Sequence, residues 1–297
     1  MSLYKKIFRH SGFGLGVFLL APLMSCSLIA CTSKPAVDLR WDVQAHSVYR
    51  ITNQSFPREM DVDVDAMLAN PALLQVKIDE LKSLPLDPRY FPMQLKMDPD
   101  AHGKISLLAE NVHINYHEPA GDENEKRRRE MQEAAVGVVQ LNTTINQFGV
   151  NQNLFTKSLQ NNLVSLMFRL PEHPASVGEH WQIPVVLSSL NTPFLADHTH
   201  RDNKVWINTV REEPGVGRVA EIVYLLQEDI SGQRQQFTTE PATPFKVTSN
   251  YFAVGEYQIE RHKWLSYVGR LDAAVGILRT VSLIALAPVD SSDKAGK

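Results

Sequence analysis

Both cysteines of this 297-residue chain, Cys26 and Cys31, fall within its first thirty-one residues. Nothing beyond position 31 is available for a disulfide, so the 267 residues from Cys31 onward must be held by an ordinary hydrophobic core. A chain of that length is long enough to bury one, and 43% of its residues are hydrophobic. The opening segment has its own character. Met1–His10 carries Lys5, Lys6 and Arg9 with no acid, and Ser11–Ala30 (SGFGLGVFLLAPLMSCSLIA) carries no charge. This is the order of a bacterial export signal. Length also permits an uncleaved membrane anchor, but Gly12, Gly14, Gly16 and Pro22 make a poor continuous span. The formal net charge is −3, and because the first thirty residues hold three bases and no acid, the remainder is at −6. No nucleic-acid partner is expected of such a body.

The uncharged run ends Leu28-Ile29-Ala30-Cys31. It resembles the lipobox of bacterial lipoproteins, in which Leu, a small or branched residue and a small residue precede an obligatory Cys. The thiol forms the thioether to diacylglycerol, and small neighbours let a membrane-embedded peptidase reach the bond before it. The resemblance implies removal of residues 1–30 as a signal peptide and acylation of Cys31 on its sulfur and its new amino group. Cys26, after Leu23-Met24-Ser25, is the competing acceptor, where Met24 fits less well. Two or more acyl chains hold a protein stably where one does not, so the implied partner is a membrane, reached through the acyl chains on Cys31. Thr32 stands where inner-membrane lipoproteins of the enteric type carry Asp, which implies the outer membrane with the body facing the periplasm. Residues 31–40 read as the lipidated Cys and a tether, whose nine residues TSKPAVDLR extend about 30 Å at most.

Beyond the tether, strand patterning dominates. Ser47–Asn53, Lys104–Tyr116, Val136–Ile145, Trp181–Leu187, Lys204–Arg211, Arg218–Leu226, Tyr257–Tyr267 and Gly276–Ala287 are rich in Val, Ile, Leu, Tyr and Trp. Helical spacing is scarcer. It is present in Asn70–Leu81, with Pro71 at a helix start, in Leu159–Leu170 ahead of Pro171, and in the charged Glu123–Ala135. The expected class is mainly β (α+β), with antiparallel curved sheets and a few helices. Tyr49-Arg-Ile51 echoes Trp181-Gln-Ile183, and Asn146-Gln-Phe-Gly149 echoes the turn before Gly276. These echoes favour two similar lobes, 41–158 and 159–290, over one barrel, with a polar tail at 291–297.

Pro171-Glu-His-Pro174-Ala-Ser-Val177-Gly178-Glu-His-Trp181 resembles a Val-Gly-x-x-Trp pattern of uncharacterised secreted lipoprotein families. Physically, Pro171 ends a helix, Gly178 permits a tight turn and Trp181 anchors the next strand.

Chemistry-bearing clusters are few. In Asp197-His-Thr-His-Arg-Asp202, an extended backbone would bring His198, His200 and Asp202 to one face, as zinc ligation needs. The segment reads as a polar loop, however, and no metal is assigned. His113, His117 and Glu118 are too spread along a strand to share an ion. Gly215-Val-Gly217-Arg-Val-Ala220 matches a dinucleotide fingerprint in letters only, because a strand follows it where a helix is required; it reads as a hairpin turn. Lys126-Arg-Arg-Arg129 lies among Glu123, Glu125, Glu130 and Glu133, as a solvated helix face would. Asp61-Val-Asp63-Val-Asp65 lacks the Gly of a calcium loop.

No catalytic residue or cofactor is expected. The leading reading is a non-enzymatic, membrane-anchored periplasmic lipoprotein acting as an envelope interaction or assembly subunit, with an envelope protein or lipid as partner. A second is a carrier of a hydrophobic ligand between a curved sheet and the Leu159–Leu170 helix, by analogy of fold with lipoprotein-localisation carriers. A third is a hydrolase whose His and carboxylates meet only in space. A carrier needs an apolar cavity of roughly 300 Å³ or more; a docking subunit needs a filled core and an exposed apolar patch.

Overall fold

Alternation of apolar and polar residues sets the strands. In Met93–Pro99 (β2) and Ile105–Asn111 (β3), Met93, Leu95, Met97, Ile105, Leu107 and Ala109 are buried and the residues between them are not. That is the two-residue period of a pleated strand with one face on a core. The computed structural model describes residues 35–55, 63–87, 89–90, 92–116, 119–153, 156–188, 194–234, 243–276 and 278–289. Eight further strands are β1 (Ser47–Ser55), β4 (Val139–Ile145), β5 (His180–Trp181), β6 (Phe194–Glu213), β7 (Gly217–Arg234), β8 (Thr243–Gln258), β9 (Lys263–Val275) and β10 (Leu278–Pro288). The helices are α1 (Val64–Ala69), α2 (Pro71–Lys82), α3 (Glu123–Ala134) and α4 (Ser158–Phe168).

The protein is mainly β, as expected, and its strands form one antiparallel sheet in the order β4-β3-β2-β1-β10-β9-β8-β7-β6-β5. The two expected lobes share this sheet. β1 pairs with β10 from Tyr49↔Pro288 to Ser55↔Ser282, so the ladder runs unbroken across the division expected at residue 159, and the described residues form one compact unit. Two expected strands also differ. Trp181–Leu187 is a strand only at its first residue, and Tyr257–Tyr267 is a hairpin that turns at Ile259–His262, where His262 has φ +51°.

The sheet curls around α4. Gln160 Nε2 donates to Gln140 O on β4 (2.8 Å), and Asn161 Oδ1 accepts from Asn151 (3.1 Å). On the other side, Asn162 makes a reciprocal pair with Val186, just past β5: Nδ2 donates to Val186 O (2.5 Å) and Oδ1 accepts from Val186 N (3.1 Å). A flat ten-stranded sheet would separate its edges by roughly 43 Å, far more than the ~10 Å width of a helix. One helix therefore meets both edges only because the sheet is strongly curved.

The C-terminal half of α4 plugs this curve. Val164, Met167 and Phe168 are fully buried. A helix end leaves carbonyls without intrahelical partners, and here aromatic donors take them. Tyr267 Oη donates to Leu166 O (3.0 Å), Trp264 Nε1 to Met167 O (2.7 Å) and Trp41 Nε1 to Phe168 O (2.7 Å). Trp41 and Trp264 meet edge-on at 6.0 Å, and each meets Tyr257 edge-on, at 5.5 and 5.2 Å. Residues 37–40, expected as free tether, are built into this plug. Val37 bridges Ala175, and Leu39 and Trp41 alternate inward with Val37. Trp41 N donates to Gln147 O (2.7 Å), and Tyr257 Oη donates to Arg40 O.

The opposite sheet face is covered by α1 and α2. Asp63 caps α1 by accepting from Ala66 N, and Asn70 caps α2 by accepting from Ala72 N and Leu73 N. Val64, Met67, Leu74, Ile78 and Leu81 then pack on Trp206, Val223, Leu225, Phe252 and Val254. Burial on both faces explains the unbroken apolar run Ile222–Leu226. Lys82, at the end of α2, fastens it to the sheet by donating to Glu221 (2.7 Å) and Glu256 (2.8 Å).

Gly149 turns the chain against the end of α4 with φ +73°, and a Cβ there would lie 1.8 Å from Phe168 O. Gly149→Ala should cost roughly 3 kcal/mol or more, lowering the melting temperature by about 10 °C. Gly103→Ala, with φ +69° and open space, should cost only about 1 kcal/mol. Equal losses by thermal denaturation would show that the backbone angle, rather than the packed helix end, sets the requirement.

Candidate functional site

Cys31, the one site residue assigned from sequence, lies outside the described residues. Six positions after it, Val37 is buried and bridges Ala175. The end of the sheet at which this segment enters, termed the base, gathers the β8–β9 turn, the start of β1 and the end of β10. Asp42, His46, Glu260, Arg261, Lys263 and Pro288 line a cavity of about 540 Å³ there. Charges of both signs alternate around it, and Arg218 is paired to Glu260 at 2.6 Å beside it.

The residues that would form a metal site are dispersed. Asp197–Asp202 is part of β6 rather than a loop, with a bulge between Ala196 and His198. Asp202 Oδ2 accepts from Lys204 (2.6 Å), and Arg201 points to Glu228 (2.7 Å). Among the described residues, no group of three His, Cys, Asp or Glu is placed to hold a metal ion. His113 Nδ1 pairs with Glu133 (2.7 Å) and Nε2 with Asn115 (2.9 Å); His117 and Glu118 lie outside the described residues. His46–Asp98 at 2.8 Å and His173–Glu179 at 3.6 Å are likewise surface pairs, with imidazoles 74% and 70% exposed. A hydrolytic dyad needs a sheltered cleft, and these pairs stand in solvent.

The basic run is more structured than a plain solvated face. The Arg129 guanidinium lies 4.0 Å from the Tyr116 ring centre and pairs with Glu125; Arg128 lies 5.3 Å from Tyr90 and donates to Gln132 (3.0 Å). Gly215 and Gly217, with φ +78° and +95°, form the β6–β7 hairpin turn expected of them. Gly178 (φ +85°) turns the chain before β5, its N–H donating to Ile207 O (2.9 Å). Trp181 at the sheet edge then packs against the cores of both faces, consistent with anchoring.

Sequence reading missed Glu228, a carboxylate buried on the α4 face of β7. It accepts from Arg201 Nε (2.7 Å) and Ser188 N (3.0 Å), with Ser188 and Ser249 hydroxyls 3.2 Å apart beside it. Burial pushes this carboxyl up, but the bonds from Arg201 and Ser188 outweigh burial and hold it below the usual carboxylate range. No local motif announces it, because its partners lie 27 and 40 residues away. It has the geometry of a fastener for the Ile183–Ser188 segment along α4 rather than of a reactive acid.

Large apolar side chains are exposed at the α3–β4 corner, Met131, Val136, Val138 and Val139, and at Leu159 on α4 and Val186 just past β5. Among the described residues, no helix is long and apolar enough to cross a membrane.

Because the Glu228 carboxyl is depressed in the folded state, its stabilising contribution is present above the unfolded glutamate range, near pH 4.3, and is lost as pH falls through the lower folded value. The urea midpoint of the wild-type protein should therefore fall on acidification below about pH 5, and Glu228→Gln should reduce that slope. An unchanged slope would place the acid sensitivity elsewhere. No protein-family model and no curated protein matches the chain.

Proposed function

We propose that this chain is a periplasmic lipoprotein anchored to the outer membrane through acyl chains on Cys31, acting without catalysis as an interaction or assembly subunit of the envelope. The observation that carries the reading is Leu28-Ile29-Ala30-Cys31 at the end of an uncharged run behind three basic residues. The structure adds support of a different kind. Among the described residues, apolar burial begins at Val37, six positions after Cys31.

The interaction reading is supported over the carrier reading by how α4 is used. A carrier needs vacant space between helix and sheet, whereas Val164, Met167 and Phe168 occupy it together with Trp41, Trp264 and Tyr267. The exposed apolar corner at Met131, Val136, Val138 and Val139 suits a subunit that contacts other envelope components.

Palmitate supplied to the native host should label the wild-type protein and the Cys26→Ser variant equally. Label should be absent from Cys31→Ser. Retained labelling of Cys31→Ser would sink the assignment of the lipid site.

A further inference from the structure

Deepening the lipoprotein reading, and resting on it, we infer that the base of the sheet is the surface that faces the phospholipid bilayer, with the far ends of β9 and β10 held away from it. Chain length and the fixed position of Val37 carry this. Val37 is bonded to Ala175 in both directions, Val37 N to Ala175 O at 2.8 Å and Ala175 N to Val37 O at 3.0 Å. Val37 lies six positions after Cys31, so the leash between them reaches about 20 Å when fully extended.

The segment that follows is equally fixed. Leu39 and Trp41 are buried, Trp41 donates to the end of α4, and Asp42 lines the base cavity with Arg261 and Pro288. From Pro288, β10 runs ten residues to Leu278, or about 33 Å. An inverted molecule, with Leu278 against the lipid, would need the leash to travel back along that strand. It is too short.

Charge around the base cavity does not oppose the contact. Arg261 and Lys263 stand there against Asp42 and Glu260, so neither sign dominates its lining. The surface suits zwitterionic headgroups such as phosphatidylethanolamine, with the acyl chains rather than charge supplying the attachment. The same orientation directs exposed Leu278 (69%) away from the anchoring bilayer.

Single-cysteine labelling tests the orientation. On this reading the mature body has no other free thiol, because Cys26 leaves with the signal and the Cys31 sulfur is a thioether. Arg261→Cys and Leu278→Cys, both at exposed positions, would be purified with their acyl chains, labelled with a donor fluorophore and bound to phosphatidylethanolamine–phosphatidylglycerol vesicles bearing a headgroup-linked acceptor. Donor emission should be largely lost at position 261 and largely retained at 278. Equal or reversed losses on protein of verified acylated mass would overturn the orientation while leaving the anchor intact. Thiol labelling of Cys31 itself in the parent chain, without vesicle binding, would overturn the lipoprotein reading and the orientation together.

Discussion

The fold depends on how the end of α4 is buried. Leu166, Met167 and Phe168 each present a carbonyl that the helix cannot satisfy, deep in an apolar core where water does not compensate. An unmade hydrogen bond on a buried carbonyl costs about 1–3 kcal/mol, so three such groups would cost a large share of a domain's net stability. Tyr267, Trp264 and Trp41 satisfy them while filling the same volume with their rings. Two donors come from β9 and one from the chain just before β1. The helix end thus ties the middle of the sheet to Trp41 ahead of β1.

Curvature follows from the same helix. At its other end, Gln160, Asn161 and Asn162 use side-chain amides to join the β4 edge to the segment after β5. Asn162 behaves towards Val186 as a neighbouring strand would, offering both a donor and an acceptor. The convex face over β6–β9 needs a separate cover, which α1 and α2 provide with Lys82 clamped between Glu221 and Glu256. One helix inside and two outside leave each face of the long strands protected where they are apolar.

Much of this was legible in the sequence, but unevenly. The helices at 71–82 and 158–168 and the strands at 47–55, 105–111 and 139–145 follow from apolar spacing, because each has one wet and one dry face. Helix 123–134, which buries Gln132 and no apolar side chain, was legible instead from the spacing of its opposite charges. Asp197–Asp202 resembles a loop because β6 is exposed on both faces there; ladder bonds to β7, not burial, hold it extended. Helix α1 spans six residues, too few to display a helical period. The suggested repeat reflected local turn chemistry: Gly149 and Gly276 both have positive φ, but Tyr49 and Ile51 lie on a central strand whereas Trp181 lies on a two-residue edge. Glu228 and the α4 carbonyls were beyond reach of spacing arguments, because their partners are distant along the chain.

The segment expected as a passive tether is the element whose role changed most. Val37, Leu39 and Trp41 alternate into the core as a strand residue pattern would, yet only Val37 forms a strand-like bridge. The segment is too short to announce this, because Pro35-Ala-Val-Asp-Leu-Arg40 shows only two inward apolar positions, Val37 and Leu39, ahead of Trp41. On the proposed lipoprotein reading, the consequence is mechanical. Tension on the acyl chains would pass within a few residues to Trp41 and from there into the buried end of α4. On that reading a load on the anchor would be met by the buried aromatic cluster around Trp41. The exposed corner at Val136, Val138 and Val139 lies at the start of edge strand β4, at the opposite end of that strand from Gln147, which accepts from Trp41 N.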